Sequence, residues 1–367
     1  MRAVDTAIGR EAGRRNPRLR RGRAVGEVSE GTPETPIGVV HYGLGCIGIE
    51  VARLVAARSG LRSVGAIDIR SELIGAGLGV LTGTLEGLDA VLVTDAAAAL
   101  AAPHANVVAH CTESSLERVL PQILECVDAG LPVVSTCEEL AFPWREAPVL
   151  AAHLDDAARR RGVSVLGTGA NPGFAMDYLP VVLSGASRWV ERVSVHRVQD
   201  AGRRRISLQR RIGAGLTVRE FGERVSANGL GHSGLPQSAE MIAAAFGWAL
   251  TEIRQSIEPI LAERATASSL GEIPPGHVAG IHQVVLGSIE EREVISLTLD
   301  LAAGLKEPRD EICLFGDPDM ATVIPGGLHG DVATAAVVVN ALPVVLDARP
   351  GLRVMTEIPP PRPRACR

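Results

Sequence analysis

Lysine is nearly missing from this chain: of 37 basic residues, only Lys306 is a lysine. Mechanisms that need a Walker lysine, or a choice of Schiff-base lysines, are excluded. Aromatic residues make up only 3% of the 367, so cores must be built from Val, Leu, Ile and Ala. At 46% hydrophobic there is ample material for them, and the length fits two or three domains. Apolar runs break well before the ~20 residues that a membrane helix needs. The six cysteines are scattered, at 46, 111, 126, 137, 313 and 366. None falls in the paired short spacing of a zinc site and no secretory pattern is present, so no metal, reduced thiols and a cytoplasmic setting are expected. A net charge of -5 gives no reason to expect nucleic acid or an anionic membrane as partner.

What is present is one strongly punctuated stretch. An apolar run ends at Tyr42, and Gly43, Gly45 and Gly48 follow in the spacing G-x-G-x-x-G. Ile47, Val51, Leu54 and Val55 then share one helical face. Gly43 suits the tight turn out of a strand, Gly45 the close approach of backbone N–H groups to a pyrophosphate, and Gly48 close helix–strand packing. The helix N-terminus adds partial positive charge toward the phosphates. About 20 residues on, Asp68 closes a second apolar run, where a carboxylate accepts hydrogen bonds from an adenosine ribose. Strand, glycine turn, helix and acid together indicate a dinucleotide site.

The rest of the chain extends that start. Residues 1–36 hold an arginine cluster and then Gly, Glu, Thr and Pro, with little to bury, so a disordered extension is expected. Asp5 and Glu11 argue against a transit peptide. From Ile37 strands and helices alternate, with strands at Ile37–Tyr42, Val64–Asp68, Ala90–Val93, Val107–His110, Val133–Ser135 and Val163–Leu166. Ser114 and Glu117 have the spacing of a capping box for the helix that follows. Pro148–Arg161 reads as a helix stopped by Gly162. This alternation specifies an α/β fold with a doubly wound parallel sheet over 37–170. After Asn171-Pro172-Gly173 the pattern changes: Thr217 and Glu220 form a second capping box, and His277–Ile289 and Glu293–Ala303 read as long antiparallel strands. A second, α+β domain with a mostly antiparallel sheet is expected over 171–329. A very apolar helix within 330–350 is expected to pack back on the first domain. The long strands, apolar on both faces, suggest a symmetric homodimer.

Ligands of an open parallel sheet bind beyond the carboxyl ends of its strands. Three loops sit there: Cys111-Thr112-Glu113-Ser114, then Thr136-Cys137-Glu138-Glu139 with Phe142 and Trp144 beyond, then Gly169 to Phe174. Glu113, between a strand end and a helix N-terminus, is the preferred acid/base. Glu138 and Glu139 are alternatives. Phe142 and Trp144 suit an apolar pocket wall or plain core packing. Asn171 is a turn former or a polar contact to nicotinamide. His110 reads as a buried strand residue. His196 and the run Arg203, Arg204, Arg205 are placed to meet a substrate carboxylate, or to lie in a solvated loop.

Taken together, GLGCIG, VVAHCTES, STCEELAFPW, GTGANPGFAMDYLP and GDVATAAVVVNALP resemble the 2,4-diaminopentanoate dehydrogenase family and its relatives the native amine dehydrogenases. The resemblance is more distant to dihydrodipicolinate reductase, whose histidine-rich stretch with a lysine is not found here. It covers nearly all of 37–359 and implies a Rossmann domain followed by an α+β domain that carries substrate contacts and the dimer interface. It implies NAD(P)-dependent oxidative deamination of an amine, 2,4-diaminopentanoate-like or simple and aliphatic, to a ketone and ammonia, reversible as reductive amination. It also implies a catalytic carboxylate after the strand that faces nicotinamide, at Glu113. Expected cofactor contacts are Gly43, Leu44, Gly45, Cys46, Ile47, Gly48, Asp68, Arg70, Cys111, Thr112 and Asn171. Expected substrate contacts are Glu138, Phe142, Trp144, Phe174 and His196. Asp68 favours NAD, while Arg70 beside it leaves room for NADP. Two other readings use the same scaffold: an imine or oxo-acid reductase, and a dinucleotide-binding redox sensor without turnover.

Overall fold

The computed structural model describes residues 35–84, 88, 91–227 and 229–366. The expected N-terminal extension therefore lies outside the described residues except at 35–36, as does Ala90. Strand–helix alternation begins where the sequence placed it. In order come β1 (Ile37–Tyr42), α1 (Cys46–Ala57), β2 (Leu61–Ile67), α2 (Leu78–Thr82), β3 (Val93–Thr94) and α3 (Ala96–Leu100). They are followed by β4 (Ala105–His110), α4 (Leu116–Asp128), β5 (Val133–Ser135), α5 (Pro148–Arg161) and β6 (Ser164–Gly167). Next come α6 (Tyr178–Leu183), β7 (Trp189–Asp200), α7 (Ile206–Arg211), α8 (Val218–Ser226) and α9 (Leu235–Phe246). Strands β8 (Glu252–Leu261), β9 (Thr266–Ser268), β10 (Gly271–Ile273), β11 (Val278–Ile289), β12 (Arg292–Ala302), β13 (Arg309–Asp317) and β14 (Met320–Pro325) lead to α10 (Gly330–Leu346) and β15 (Gly351–Arg353).

The first sheet has the order β15-β6-β5-β4-β1-β2-β3 and is parallel throughout. Both its faces are covered, as a parallel sheet requires. Residues of α3, α4 and α5 fill one side, among them Val119, Ile123 and Leu154. Residues of α1 and α10 fill the other, among them Val51, Val55, Val338 and Leu342. The apolar C-terminal helix thus packs on the first sheet. Pro148 opens α5 and Gly162, at φ 71°, closes it, since the left-handed cap costs glycine nothing.

The second sheet has the order β14-β13-β7-β12-β11-β8 and is antiparallel except where β7 meets β12. Its strands alternate. Val193, Val195, Leu297 and Leu299 are buried with residues of α7, α8 and α9. Ser194, His196, Ser296 and Thr298, on the opposite face, stay half-buried. The capping box of Thr217 and Glu220 is present at α8.

The capping box at Ser114 and Glu117 is not. Helix α4 starts later, with Ser115 as N-cap and no side-chain cap from it. The Leu116 N–H donates instead to Glu139 Oε2 at 2.7 Å. A cap can come from a neighbouring loop, and local spacing does not register it. Strand β8 was not foreseen either; its polar residues hide the alternation of a strand with an exposed side.

Candidate active site

The β1–α1 turn does what its glycines require. Gly43 has φ 93°, a conformation that side-chain-bearing residues avoid. A Cβ on Gly48 would lie 1.9 Å from the Gly43 carbonyl oxygen, whereas one on Gly45 meets nothing within 4 Å. The turn is closed where helix meets strand and open where a pyrophosphate would approach. Asp68 follows β2. Its carboxylate accepts from the Leu44 N–H at 2.8 Å, from the Arg70 N–H at 3.0 Å, and from Arg70 Nε and Nη2 at 2.8 and 3.0 Å. Burial pushes its pKa up, but the bonds from Arg70 and Leu44 outweigh it and hold the group at about 2. Arg70 Nη2 also donates to the Leu44 carbonyl, so arginine, acid and glycine turn form one unit.

From Gly45, Cys46 and Ile47 a cavity of about 580 Å³ runs across the carboxyl ends of β1, β4, β5 and β6 to the inner face of the second sheet. Of the expected contacts, Cys111, Thr112, Glu113, Glu138 and Asn171 also line it. Asn171 Oδ1 and Nδ2 and Thr168 Oγ1 are buried there without hydrogen-bond partners. A ligand carboxamide, which donates and accepts, would satisfy all three atoms. The open turn, the helix N-terminus, Asp68 and these unsatisfied groups fit a nicotinamide dinucleotide.

Of the three candidate carboxylates, Glu113 and Glu138 differ in setting. The Glu113 side chain is 52% exposed and pairs with Arg118 at 3.1 Å. That of Glu138 is 16% exposed and pairs with Arg211 Nη2 at 2.7 Å. Arg211 also reaches Ser233 and Ser114. His232 Nε2 lies 4.0 Å from the other Glu138 oxygen, while its Nδ1 donates to the Ser233 carbonyl. Burial lowers the His232 pKa, with Glu138 opposing that. The ring is therefore neutral, with a bare acceptor toward Glu138. Sequence reading passed over His232 and Arg211. Each sits in a polar stretch with no spacing signal, and only the α7 and α9 approaches bring them to Glu138.

The arginine run is only partly solvated: Arg203 is exposed, Arg204 is buried and Arg205 is half-buried. Arg204 and Arg205 line the cavity. Arg204 Nε and Nη2 each hold Asp331, at the start of α10, at 3.0 Å, and Arg205 contacts the same carboxylate. Arg197, 3% exposed, pairs with Asp310 at 3.3 Å, and its buried Nη1 has no partner.

Four expected substrate contacts lie elsewhere. His196 points to the other face of the second sheet, where Asp300 bridges it at 2.7 Å to His282 at 2.6 Å. Strand alternation puts it there, since its neighbours Val195 and Arg197 face inward. Phe142 and Phe174 pack against the core beneath α10, and Trp144 is 37% exposed; none of the three lines the cavity. In a chain this poor in aromatics Phe142 and Phe174 serve packing. His110 is buried as expected, between Ser135 and Gln122, and burial lowers its pKa to about 4. Burial likewise raises the Cys111 and Cys137 thiols to about 12, so neither is a nucleophile.

The model of the 2,4-diaminopentanoate dehydrogenase C-terminal domain matches residues 174–366. A 2,4-diaminopentanoate dehydrogenase from Acetoanaerobium sticklandii is 31% identical over 335 residues, 89% of this chain and 94% of that protein. The chain belongs to the 2,4-diaminopentanoate dehydrogenase family. An amine dehydrogenase from Streptomyces virginiae is 27% identical, covering 69% of this chain and 72% of its own. The solved structure of an amine dehydrogenase from Mycobacterium smegmatis superposes with a TM-score of 0.79 at 26% identity, over 90% of this chain and 98% of that one. As a member of this family the chain is a nicotinamide-dependent amine dehydrogenase, an oxidoreductase acting on amine donors. The reductase and redox-sensor readings fall. No helix among the described residues is long and apolar enough to cross a membrane.

Proposed function

We propose that this enzyme oxidatively deaminates an amine that also carries a carboxylate, of the 2,4-diaminopentanoate type, with Glu138 as its acid/base. The observation that carries this reading is the half-buried Glu138–Arg211–His232 group inside the cavity that joins the dinucleotide turn to the second sheet. When bound, the dinucleotide accepts a hydride from the amine-bearing carbon. Glu138, paired with Arg211, and the bare His232 nitrogen bracket a space suited to an ammonium group. The ammonium gives a proton to the bare His232 nitrogen, and hydride loss from the resulting neutral amine leaves an iminium. Glu138 takes a proton from the water that adds to it, passes that proton to the nitrogen, and takes the hydroxyl proton as ammonia departs, leaving the ketone. In reverse the same carboxylate orients ammonia. Glu113, half-exposed and paired on the α4 surface, is the weaker candidate.

The acid-bearing class is favoured over a simple aliphatic amine by Arg197. Asp310 already balances its charge, but the buried Nη1 at the cavity wall has no hydrogen-bond partner and is a donor that a substrate carboxylate oxygen would satisfy. Asp68 supports preference for NAD, with NADP admitted through Arg70. The half-buried face of the second sheet, with His196, Thr298 and Asp300, supports a homodimer.

The test is amine-dependent cofactor reduction by wild type, Glu138→Gln and Glu113→Gln. Glu138→Gln should keep cofactor binding and lose roughly a hundredfold or more in turnover, the scale of a lost acid/base group. Glu113→Gln should stay near wild type. The reverse pattern would return the role to Glu113.

A further inference from the structure

Glu138 is followed by a second carboxylate, Glu139, which also borders the cavity. Two adjacent acids on a short loop could exchange places, and something must decide which one faces the amine. The loop after β5 is stitched to the loop after β4 by the Thr136 N–H on the His110 carbonyl at 2.9 Å and the Glu139 N–H on the Ser114 carbonyl at 3.2 Å. The Cys137 thiol adds a bond to the Ser114 carbonyl at 3.1 Å. These bonds locate the loop but leave both side chains free to turn. The side chains are fixed by opposite anchors. Glu138 is drawn into the cavity by Arg211. Glu139 is drawn away from it, to the Leu116 N–H in the first turn of α4. That helix has no cap of its own from Ser115, and its unpaired first-turn N–H groups and dipole favour a carboxylate there.

We propose that Glu139 is a positioning residue: by capping α4 from the neighbouring loop it keeps its own carboxylate off Arg211 and holds Glu138 toward the substrate amine. This inference rests on the assignment of Glu138 as the acid/base.

The experiment compares Glu139→Ala, Glu139→Gln and Glu138→Gln. Thr217→Ala, which removes the capping side chain of the remote helix α8, controls for cap loss alone. Steady-state kcat and KM for the amine, cofactor Kd by fluorescence titration and Tm are read for each. Glu139→Ala should lower kcat about 10- to 100-fold, the scale of a carboxylate displaced by an ångström, with cofactor Kd unchanged. Glu139→Gln should restore most of the loss, because its amide oxygen accepts the same N–H. Thr217→Ala should lower Tm, as cap removal does, and leave kcat alone. If Glu139→Ala loses Tm but no more kcat than Thr217→Ala, the residue is a helix cap and the inference fails. If Glu139→Gln is as impaired as Glu139→Ala, the charge itself is required and positioning is wrong. An inactive Glu138→Gln beside an unimpaired Glu139→Ala overturns the positioning role and leaves the Glu138 assignment standing. Wild-type turnover in Glu138→Gln overturns that assignment and this inference with it.

Discussion

Cofactor choice can be worked out from the lone pairs of Asp68. An ionised carboxylate offers about four acceptor sites, and four donors fill them: the Leu44 N–H, the Arg70 N–H, Arg70 Nε and Arg70 Nη2. Ribose hydroxyls can bind Asp68 only if the Arg70 side chain gives up its two bonds. That guanidinium arm is 46% exposed, so the exchange costs NAD only about 1 kcal/mol or less. A 2′-phosphate would instead meet the arginine as it swings out, and a charge-assisted bond contributes about 1.5–3 kcal/mol. At about 1.4 kcal/mol per decade, Arg70→Ala should cost NADP about 10- to 100-fold in kcat/KM. It should leave NAD unchanged, or improve it by up to about fivefold, as the competitor for Asp68 disappears. Asp68→Ser should move the ratio the other way, through loss of the ribose acceptor and of its repulsion toward phosphate. The assay is kcat/KM for both dinucleotides at saturating amine, in wild type and both variants. Wild type is expected to prefer NAD with measurable NADP activity. A wild type strongly favouring NADP, with a ratio unmoved by Arg70→Ala, would show that the ribose binds elsewhere.

Two other outcomes are expected. Burial raises the Glu240 pKa from 4.5 to about 7, with Arg145 opposing and Glu146 reinforcing, and neither carboxylate oxygen has a hydrogen bond. A raised acid favours the native state while protonated, so its contribution is lost as pH rises from about 4.5 to about 7. Glu240→Gln should therefore raise Tm at pH 8 and make little difference near pH 4.5; a pH-independent difference between the melting curves would refute the linkage. Light scattering at micromolar concentration should give twice the 38.4 kDa chain mass, and a monomer would remove the case for the second sheet as a subunit interface.

What the sequence determined by itself was local and periodic. Glycine at 43 and 48 is required by a positive φ and by a carbonyl 1.9 Å from any added Cβ, and such demands are written in residue type. Pro148 and Gly162 bound α5 for similar reasons, and Thr217 with Glu220 carries its own cap. The alternation of apolar runs was enough for the parallel sheet, and the spacing of Asp68 for its place against the glycine turn, where it accepts from the Leu44 N–H. The tertiary structure decided how residues far apart in sequence meet. Glu138 acquires its partner from 73 residues away, and Arg204 reaches Asp331 across 127. Glu139 caps a helix that starts 23 residues before it. His196 looked like a site residue because it falls in the second domain, placed to meet a substrate carboxylate, yet the sheet's alternation turns it outward to Asp300. Residue type and spacing limit what a side chain can do. Which of two neighbouring carboxylates meets the cavity's arginine depends on the partners that other elements bring to it, and those are set only when the two sheets close over the cavity.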